Sequence, residues 1–231
     1  MDWRTFWNED HAIYVSARHR LLHADLVARG LVAQLPPGGP RVLDWGCGEA
    51  EAATFVAARC SVLYLYDGAP RVHANLRRRY VGESAIAVLD EDALSALPDR
   101  SLDAIGIVSV VQYLSREALD SVLASLAPKL AENGRLIIAD VIPPGLSPLV
   151  DARALLTFGW RGGFFRDAVL GLVKTFFSNY RRLRTTLGLT QWSEEEMLAL
   201  LRRHGFAGKR AATNIGHNQA RMTFVGEGRY L

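Results

Sequence analysis

This sequence predicts an α/β fold with a doubly wound, mostly parallel sheet of seven strands, and three observations support it. Short apolar runs alternate with helical patterns from residue 41 to residue 142, the rhythm of βα units that assemble into a parallel sheet. The first run passes into a glycine turn and an alanine-rich helix start, Val42-Leu43-Asp44-Trp45-Gly46-Cys47-Gly48-Glu49-Ala50. Glycine at such a junction lets a ligand reach the backbone with no Cβ in the way. Two further strands near the end close the sheet as a hairpin, which makes the last strand antiparallel.

The elements follow in order. The first 35 residues read as helical, because Ile13, Ala17, Leu21, Leu22, Leu26 and Val27 recur near helical spacing. Pro36-Pro37-Gly38-Gly39-Pro40 stops that helix. Strands are expected near 41–45, 61–66, 85–89, 102–109 and 134–140, with helices between them. Gly134, after Ala131-Glu132-Asn133, reads as a helix stop feeding the fifth strand. Pro143-Pro144-Gly145 interrupts the alternation, and 145–190 form an insertion carrying Phe158, Trp160, Phe164, Phe165, Phe176, Phe177 and Tyr180. Ser193-Glu194-Glu195-Glu196 is a capping box opening a helix that runs to His204-Gly205. Strands near 208–214 and 220–226 end the chain, joined by Ile215-Gly216-His217-Asn218-Gln219 as a tight hairpin.

At 231 residues, 49% of them hydrophobic, the chain suits one α/β domain over 1–231 with a sizeable core. A net charge of +3 gives no electrostatic footprint for nucleic acid. Cys47 and Cys60 are the two cysteines, both in apolar contexts; with no signal peptide at Met1-Asp2-Trp3-Arg4 they point to a reducing cytoplasm. No apolar run approaches the ~18 residues of a membrane span. Cys47 has no neighbouring base to make it a nucleophile.

The glycine turn has an acid, Asp44, two residues before its first glycine. The run Ser61–Tyr66 ends at Asp67, about 20 residues past the glycines, where a second strand sets a carboxylate on ribose hydroxyls. Glu51 stands where G-x-G-x-x-G needs its third glycine, so a dinucleotide oxidoreductase is disfavoured. Ile86-Ala87-Val88-Leu89 then leads into Asp90-Glu91-Asp92-Ala93, and Leu97–Asp103 leads into the fourth strand. In spacing and residue type these segments resemble the class I S-adenosylmethionine (SAM)-dependent methyltransferases, closely over 40–142 and loosely elsewhere.

That resemblance implies a Rossmann-like sheet with an N-terminal helical cap at 1–40 and a substrate lid at 145–190, with SAM as cofactor and S-adenosylhomocysteine as product. Gly46 and Gly48 would admit the methionine part of SAM, and Asp44 would face its ammonium group. Asp67, with Gly68 beside it, would take the ribose hydroxyls; Asp92 would accept from the adenine amino group and the Ala93 N–H would donate to the ring. Ser109 and Tyr14 complete the implied cofactor set. The spacing from Asp92 to Pro98 is one residue longer than usual, which keeps Glu91 or Ala93 open for the Asp92 role. Ala50 replaces a frequent third glycine. Asp103 reads as a group serving the sheet rather than the ligand.

Methyl transfer requires a nucleophile held in line at ~3–3.5 Å, and an alcohol or phenol must also lose a proton. If strand six is parallel to the first five, the hairpin puts His217 and Asn218 on one rim with Asp67, Gln112, Tyr113 and Asp140. His217 is the candidate base, with a solvated turn histidine as the alternative. Gln112 and Tyr113 either hydrogen-bond the acceptor or line the cofactor pocket. His19 and His23 lie four apart on the first helix, with no third ligand evident, so no metal is expected. The aromatic insertion favours a small, apolar or aromatic acceptor; the alternative is a helical pair packing on the sheet edge. Arg181-Arg182-x-Arg184, with Lys174 nearby, reads as a solvated helix face, the alternative being a surface for an acidic substrate, anionic lipid headgroups or RNA. The function expected is methyl transfer to a small molecule, with no nucleic acid partner and a homodimer admitted. Two alternatives are a non-catalytic SAM-binding protein and a nucleic-acid or protein methyltransferase. The second lacks its Asn/Asp-Pro-Pro-aromatic motif, because Ser109-Val110-Val111-Gln112-Tyr113 stands after strand four.

Overall fold

The computed structural model describes residues 14–177 and 189–228. Helix α1 (Ala17–Gln34) precedes β1 (Arg41–Trp45), α2 (Ala53–Ala57), β2 (Val62–Tyr66), α3 (Pro70–Arg79), β3 (Ile86–Leu89), α4 (Glu91–Ser95) and β4 (Leu102–Val108). Then come α5 (Arg116–Leu126), β5 (Leu130–Val141), the helical pair α6 (Pro148–Gly162) and α7 (Phe165–Phe177), α8 (Glu194–Arg203), β6 (Phe206–Arg210) and β7 (Met222–Gly228). The seven strands form one sheet in the order β3-β2-β1-β4-β5-β7-β6. The ladders joining β1 through β5 are parallel, and β7 is antiparallel to both β5 and β6.

The central strands are buried on both faces, as a doubly wound sheet requires. Leu43, Ile105, Leu136 and Ile138 pack against Leu119 and Leu123 of α5 and Met197 and Leu201 of α8. Their neighbours Val42, Ala104, Ile137 and Ala139 turn the other way, toward Ala28 and Leu31 of α1, Val56 of α2 and Leu76 of α3. At the amino end of the sheet, Asp103 grips Arg41 through its backbone N–H (2.8 Å) and guanidinium (2.8 and 2.9 Å). It serves the sheet, far from the carboxyl edge.

The helical pair after β5 is held by close backbone approach. A Cβ on Gly159 would sit 3.0 Å from Ala168 Cβ, and one on Gly162 would sit 2.7 Å from Leu22 of α1. Gly163, with φ +72, terminates α6 and turns the chain into α7. The helical pair therefore docks on α1, and Arg18 Nε donates to the Gly162 carbonyl. None of the described helices is long and apolar enough to cross a membrane.

Three sequence expectations are corrected. The fifth strand begins at Leu130, not 134, because Pro128 ends the helical turn and Asn133 (φ 63), rather than Gly134, takes the left-handed conformation. The last two strands are shifted outward to 206–210 and 222–228, and an irregular loop over 211–221 replaces the tight hairpin. Asn214 and Gln219 bond the backbone there, Gln219 Nε2 donating to Asn214 O and Gly216 O, and so compete with ladder pairing. On α1 the buried residues are His19, Ala28 and Leu31, while Leu21 is 58% exposed. Ile13 and the Tyr180–Arg184 segment lie outside the described residues.

The capping box at α8 is present as expected: Ser193 Oγ accepts from Glu196 N–H (3.1 Å) and Glu196 Oε2 accepts from Ser193 N–H (2.8 Å). Ser193→Ala is expected to destabilise the protein by about 1 kcal/mol, seen as a fall of about 2–4 °C in the thermal unfolding midpoint.

Candidate active site

The glycine turn lies at the carboxyl end of β1. Gly46 and Gly48 have φ +72 and +56, and the Gly46 and Cys47 N–H groups both donate to Tyr66 O at the end of β2. Gly46 is also sterically required, since a Cβ would meet Val110 Cγ2 at 2.7 Å. Gly48 faces open space, with nothing within 4 Å of the Cβ position. Ala50 has φ +43, a glycine-favoring conformation that costs an alanine roughly 1–2 kcal/mol. Burial keeps the Cys47 thiol protonated well above its ordinary range, which agrees with its non-nucleophilic reading.

Two carboxylates flank this turn. Asp67 accepts from Gly48 N–H (3.0 Å) and Ala69 N–H (2.9 Å). Burial raises its pKa, and those two hydrogen bonds act against the rise. Asp44 is pushed up to about 7 by burial, with the Asp67 charge pushing the same way. Open space at Gly48 beside two acids suits a polar ligand bearing an ammonium group and hydroxyls, and so fits SAM.

The segment after β3 differs in detail from expectation. Asp90 is the N-cap of α4 and its carboxylate accepts from Ala93 N–H (2.9 Å), so the donor expected to face adenine is already engaged. Asp90 reaches the N3 amide as an N-cap does. Asp92 is exposed in the first turn, and Glu91 accepts from Tyr66 OH.

Beyond β4 and β5 the carboxyl edge carries two strained residues, Ser109 (φ +59) and Asp140 (φ +64). Ser109 Oγ donates to Asp140 Oδ2 (3.0 Å), and Arg221 reaches Asp140 Oδ2 (2.7 Å) and Asp151 of α6 (3.1 Å). Asn214 donates to Asp140 Oδ1 (3.1 Å), and Asn218 donates to Asp151 (2.6 Å). Burial lowers the Arg221 pKa, but the two carboxylates outweigh it and the guanidinium stays charged. Gln112 is buried, its amide donating to Ser109 O (2.8 Å). It therefore lies with Tyr113 in the short turn at 111–113, on the expected rim. Nothing in the local sequence marks the Asp140–Arg221–Asp151 network, since its members lie on β5, the 211–221 loop and α6.

The same loop carries His217 into a ring cluster. His217 stacks on Phe158 of α6 (5.2 Å, 12°), and His19 of α1 stacks on Phe164 (5.0 Å, 19°). The centres of His19, His23 and His217 lie 5.8–6.1 Å apart, and Tyr14 contacts His19 and His23 at 5.3 and 5.8 Å. Sequence spacing supplied two of these histidines; only the fold brings the third. Outside them opens a cavity of about 730 Å³ lined by Leu22, Leu26, Val150, Ala154, Phe158 and His217. On the inner side, Tyr14 senses the Glu51 charge, and Arg20 pairs with Glu51 (3.0 Å) just past the glycine turn. Ring contacts thus run from the cavity inward to Tyr14, and its charged neighbours Arg20 and Glu51 lie just past the glycine turn.

The comparisons agree with this geometry. Residues 43–138 match the family model described as a methyltransferase domain. No curated protein matches the chain. Similar solved structures include a chain of the complex between the Haloferax volcanii Trm112 methyltransferase activator and the putative methyltransferase (16% identity, TM-score 0.63, covering 100% of this chain and 99% of that one). The N-methyltransferase NodS from Bradyrhizobium japonicum WM9 in complex with S-adenosylhomocysteine is another (14%, 0.59, 99% and 97%). The pyocyanin biosynthetic protein PhzM is a third (15%, 0.63, 99% and 62%). The chain thus has the Rossmann-like methyltransferase fold and carries a methyltransferase domain over residues 43–138. It is an enzyme that uses SAM.

Asp44 yields a stability prediction. Its folded pKa of about 7 lies above the unfolded value of about 3.9, so the folded chain holds more protons between these values and apo-protein stability falls as pH rises from about 4 to 7. Asp44→Asn is expected to remove this contribution, making the apo protein more stable than wild type in thermal unfolding at pH 8 but not at pH 4.

Proposed function

We propose that this enzyme transfers the methyl group of SAM to a small apolar or aromatic acceptor seated in the cavity between α1, α6 and the 211–221 loop. The observation that supports this reading is the apolar cavity lined by Phe158 and His217, from which ring contacts lead through His23 to Tyr14 on the side of the acidic glycine turn. An acceptor entering past His217 can thereby approach the methyl group. Bound SAM supplies an electrophilic methyl group on a sulfonium.

The chain's own residues do the rest. Asp44 holds the ammonium group, Asp67 and Gly68 the ribose edge, and Gly46 and Gly48 leave room for the methionine part. Asp92 is left to meet the adenine amino group from the exposed side of α4, while the Ala93 N–H stays with Asp90. Ser109 and Gln112 form the floor beneath the transfer, fixed by Asp140, and Tyr113 and Tyr14 flank it. His217 and its neighbours are kept neutral, with pKa values lowered to about 4, first by burial. A neutral imidazole accepts a hydrogen bond from an acceptor hydroxyl and orients it. Phe158 and the α6 side chains cover the acceptor and exclude water, the role expected of a lid.

Calorimetric titration with S-adenosylhomocysteine tests the cofactor half. Micromolar binding is expected, weakened at least about tenfold in Asp67→Ala as a charge-assisted contact is lost. Affinity should rise about tenfold from pH 6 to pH 8 as Asp44 ionises, and Asp44→Asn should flatten that rise. Absence of binding in folded wild-type protein overturns the proposal. For the acceptor half, S-adenosylhomocysteine release is measured over a panel of aromatic hydroxyls. Phe158→Ala should raise the acceptor KM while leaving S-adenosylhomocysteine affinity unchanged; the reverse pattern would place the acceptor elsewhere. A non-catalytic SAM-binding protein would bind S-adenosylhomocysteine and turn over nothing in the panel.

A further inference from the structure

We infer that His19, His23 and His217 form a three-histidine binding site for one divalent cation of the zinc class, beside the acceptor cavity. One nitrogen from each imidazole lies within 4.8 Å of one from each of the others. Tetrahedral zinc with bonds of about 2.0–2.1 Å needs nitrogens about 3.4 Å apart, so each ring moves inward by less than about 1 Å. The near-equal ring separations of 5.8, 6.1 and 6.1 Å mean that no ring has to travel much further than the others.

The surroundings favour a cation over simple ring packing. His19 Nε2, His23 Nδ1 and His217 Nδ1 are buried and have no hydrogen-bond partner among the described residues, and each such group is costly to leave unsatisfied. All three rings are neutral near pH 7, the form that ligates a metal. Burial disfavours positive charge on all three rings; Asp140 acts against this at His23, whereas at His217 the Arg221 charge outweighs Asp151. Phe164 and Phe158 hold the His19 and His217 rings by stacking. Ligation through His19 Nε2 places that ring's proton on Nδ1 and gives up the long 3.3 Å contact from Val15 N–H. Imidazole donors suit zinc and its late first-row neighbours rather than magnesium or calcium.

Three protein ligands leave one position open, the pattern of catalytic rather than structural zinc. Because His217 lines the cavity, that position is offered to the hydroxyl or phenol of an acceptor, whose proton a bound cation makes more acidic. This role rests on the methyl-transfer reading and replaces the hydrogen bond that a metal-free His217 would accept from that hydroxyl; the cation site itself does not rest on that reading.

The test is titration of chelator-treated protein with Co(II), read by its visible absorption, followed by displacement with Zn(II). One Co(II) per chain is expected, with the intense bands of a four-coordinate site. His19→Phe and His217→Phe keep the ring stacking but remove ligands, and each should weaken binding at least tenfold while circular dichroism stays unchanged. His204→Gln, whose ring pairs with Asp120 at 2.8 Å away from the cluster, should bind like wild type. No stoichiometric binding to folded wild-type protein, or binding unchanged in both ring-for-ring variants, overturns the site. S-adenosylhomocysteine binding on the same preparation separates the two ideas: metal without S-adenosylhomocysteine upholds the site and removes its acceptor role.

Discussion

The rim of the sheet around β5 and the 211–221 loop depends on one buried carboxylate, Asp140. It sits at the carboxyl end of β5 in a left-handed backbone conformation and receives Ser109, Asn214 and Arg221. Arg221 in turn reaches Asp151 on α6, so one ion network binds β4, β5, the 211–221 loop and α6. A buried charge pair of this kind adds little net stability compared with apolar packing, yet removing one partner leaves a costly unpaired charge. Its effect here is positional. The strained Ser109 and Asp140 turn their side chains toward each other above the sheet, and the loop that carries His217 is fixed as a result.

On the cofactor side the governing constraint is electrostatic. Asp44 and Asp67 are brought together by parallel pairing of β1 with β2, where Asp44 aligns with Leu65 and Trp45 with Tyr66. Two acids beside an open glycine turn repel one another, and burial raises both pKa values. A cationic ligand would relieve that repulsion, so the pair of acids favours such a ligand.

Between these halves stands the aromatic wall. Its histidines come from α1 and from the loop before β7, and its phenylalanines come from α6 and the turn that follows it. Packing of Gly162 against Leu22 and of Gly30 against Ile215 brings those segments within reach of each other. Larger residues at either glycine would separate the cavity from the turn.

The sequence by itself determined the sheet, the glycine turn with Asp44 and Asp67, and the α8 capping box, because periodicity, turn chemistry and capping are local properties. It also placed His217 and Asn218 on the rim, since a parallel sixth strand makes that edge inevitable. It misplaced the last two strands by two residues and expected a tight hairpin, because the amides of Asn214 and Gln219 that shape the loop act through contacts no pattern displays. The Ala93 N–H was expected at adenine, and capping by Asp90 took it instead. Only the tertiary structure joined His19 and His23 to His217, and Asp140 to Arg221 and Asp151. Those partners lie far apart in sequence, and nothing but the packed sheet brings them to one edge.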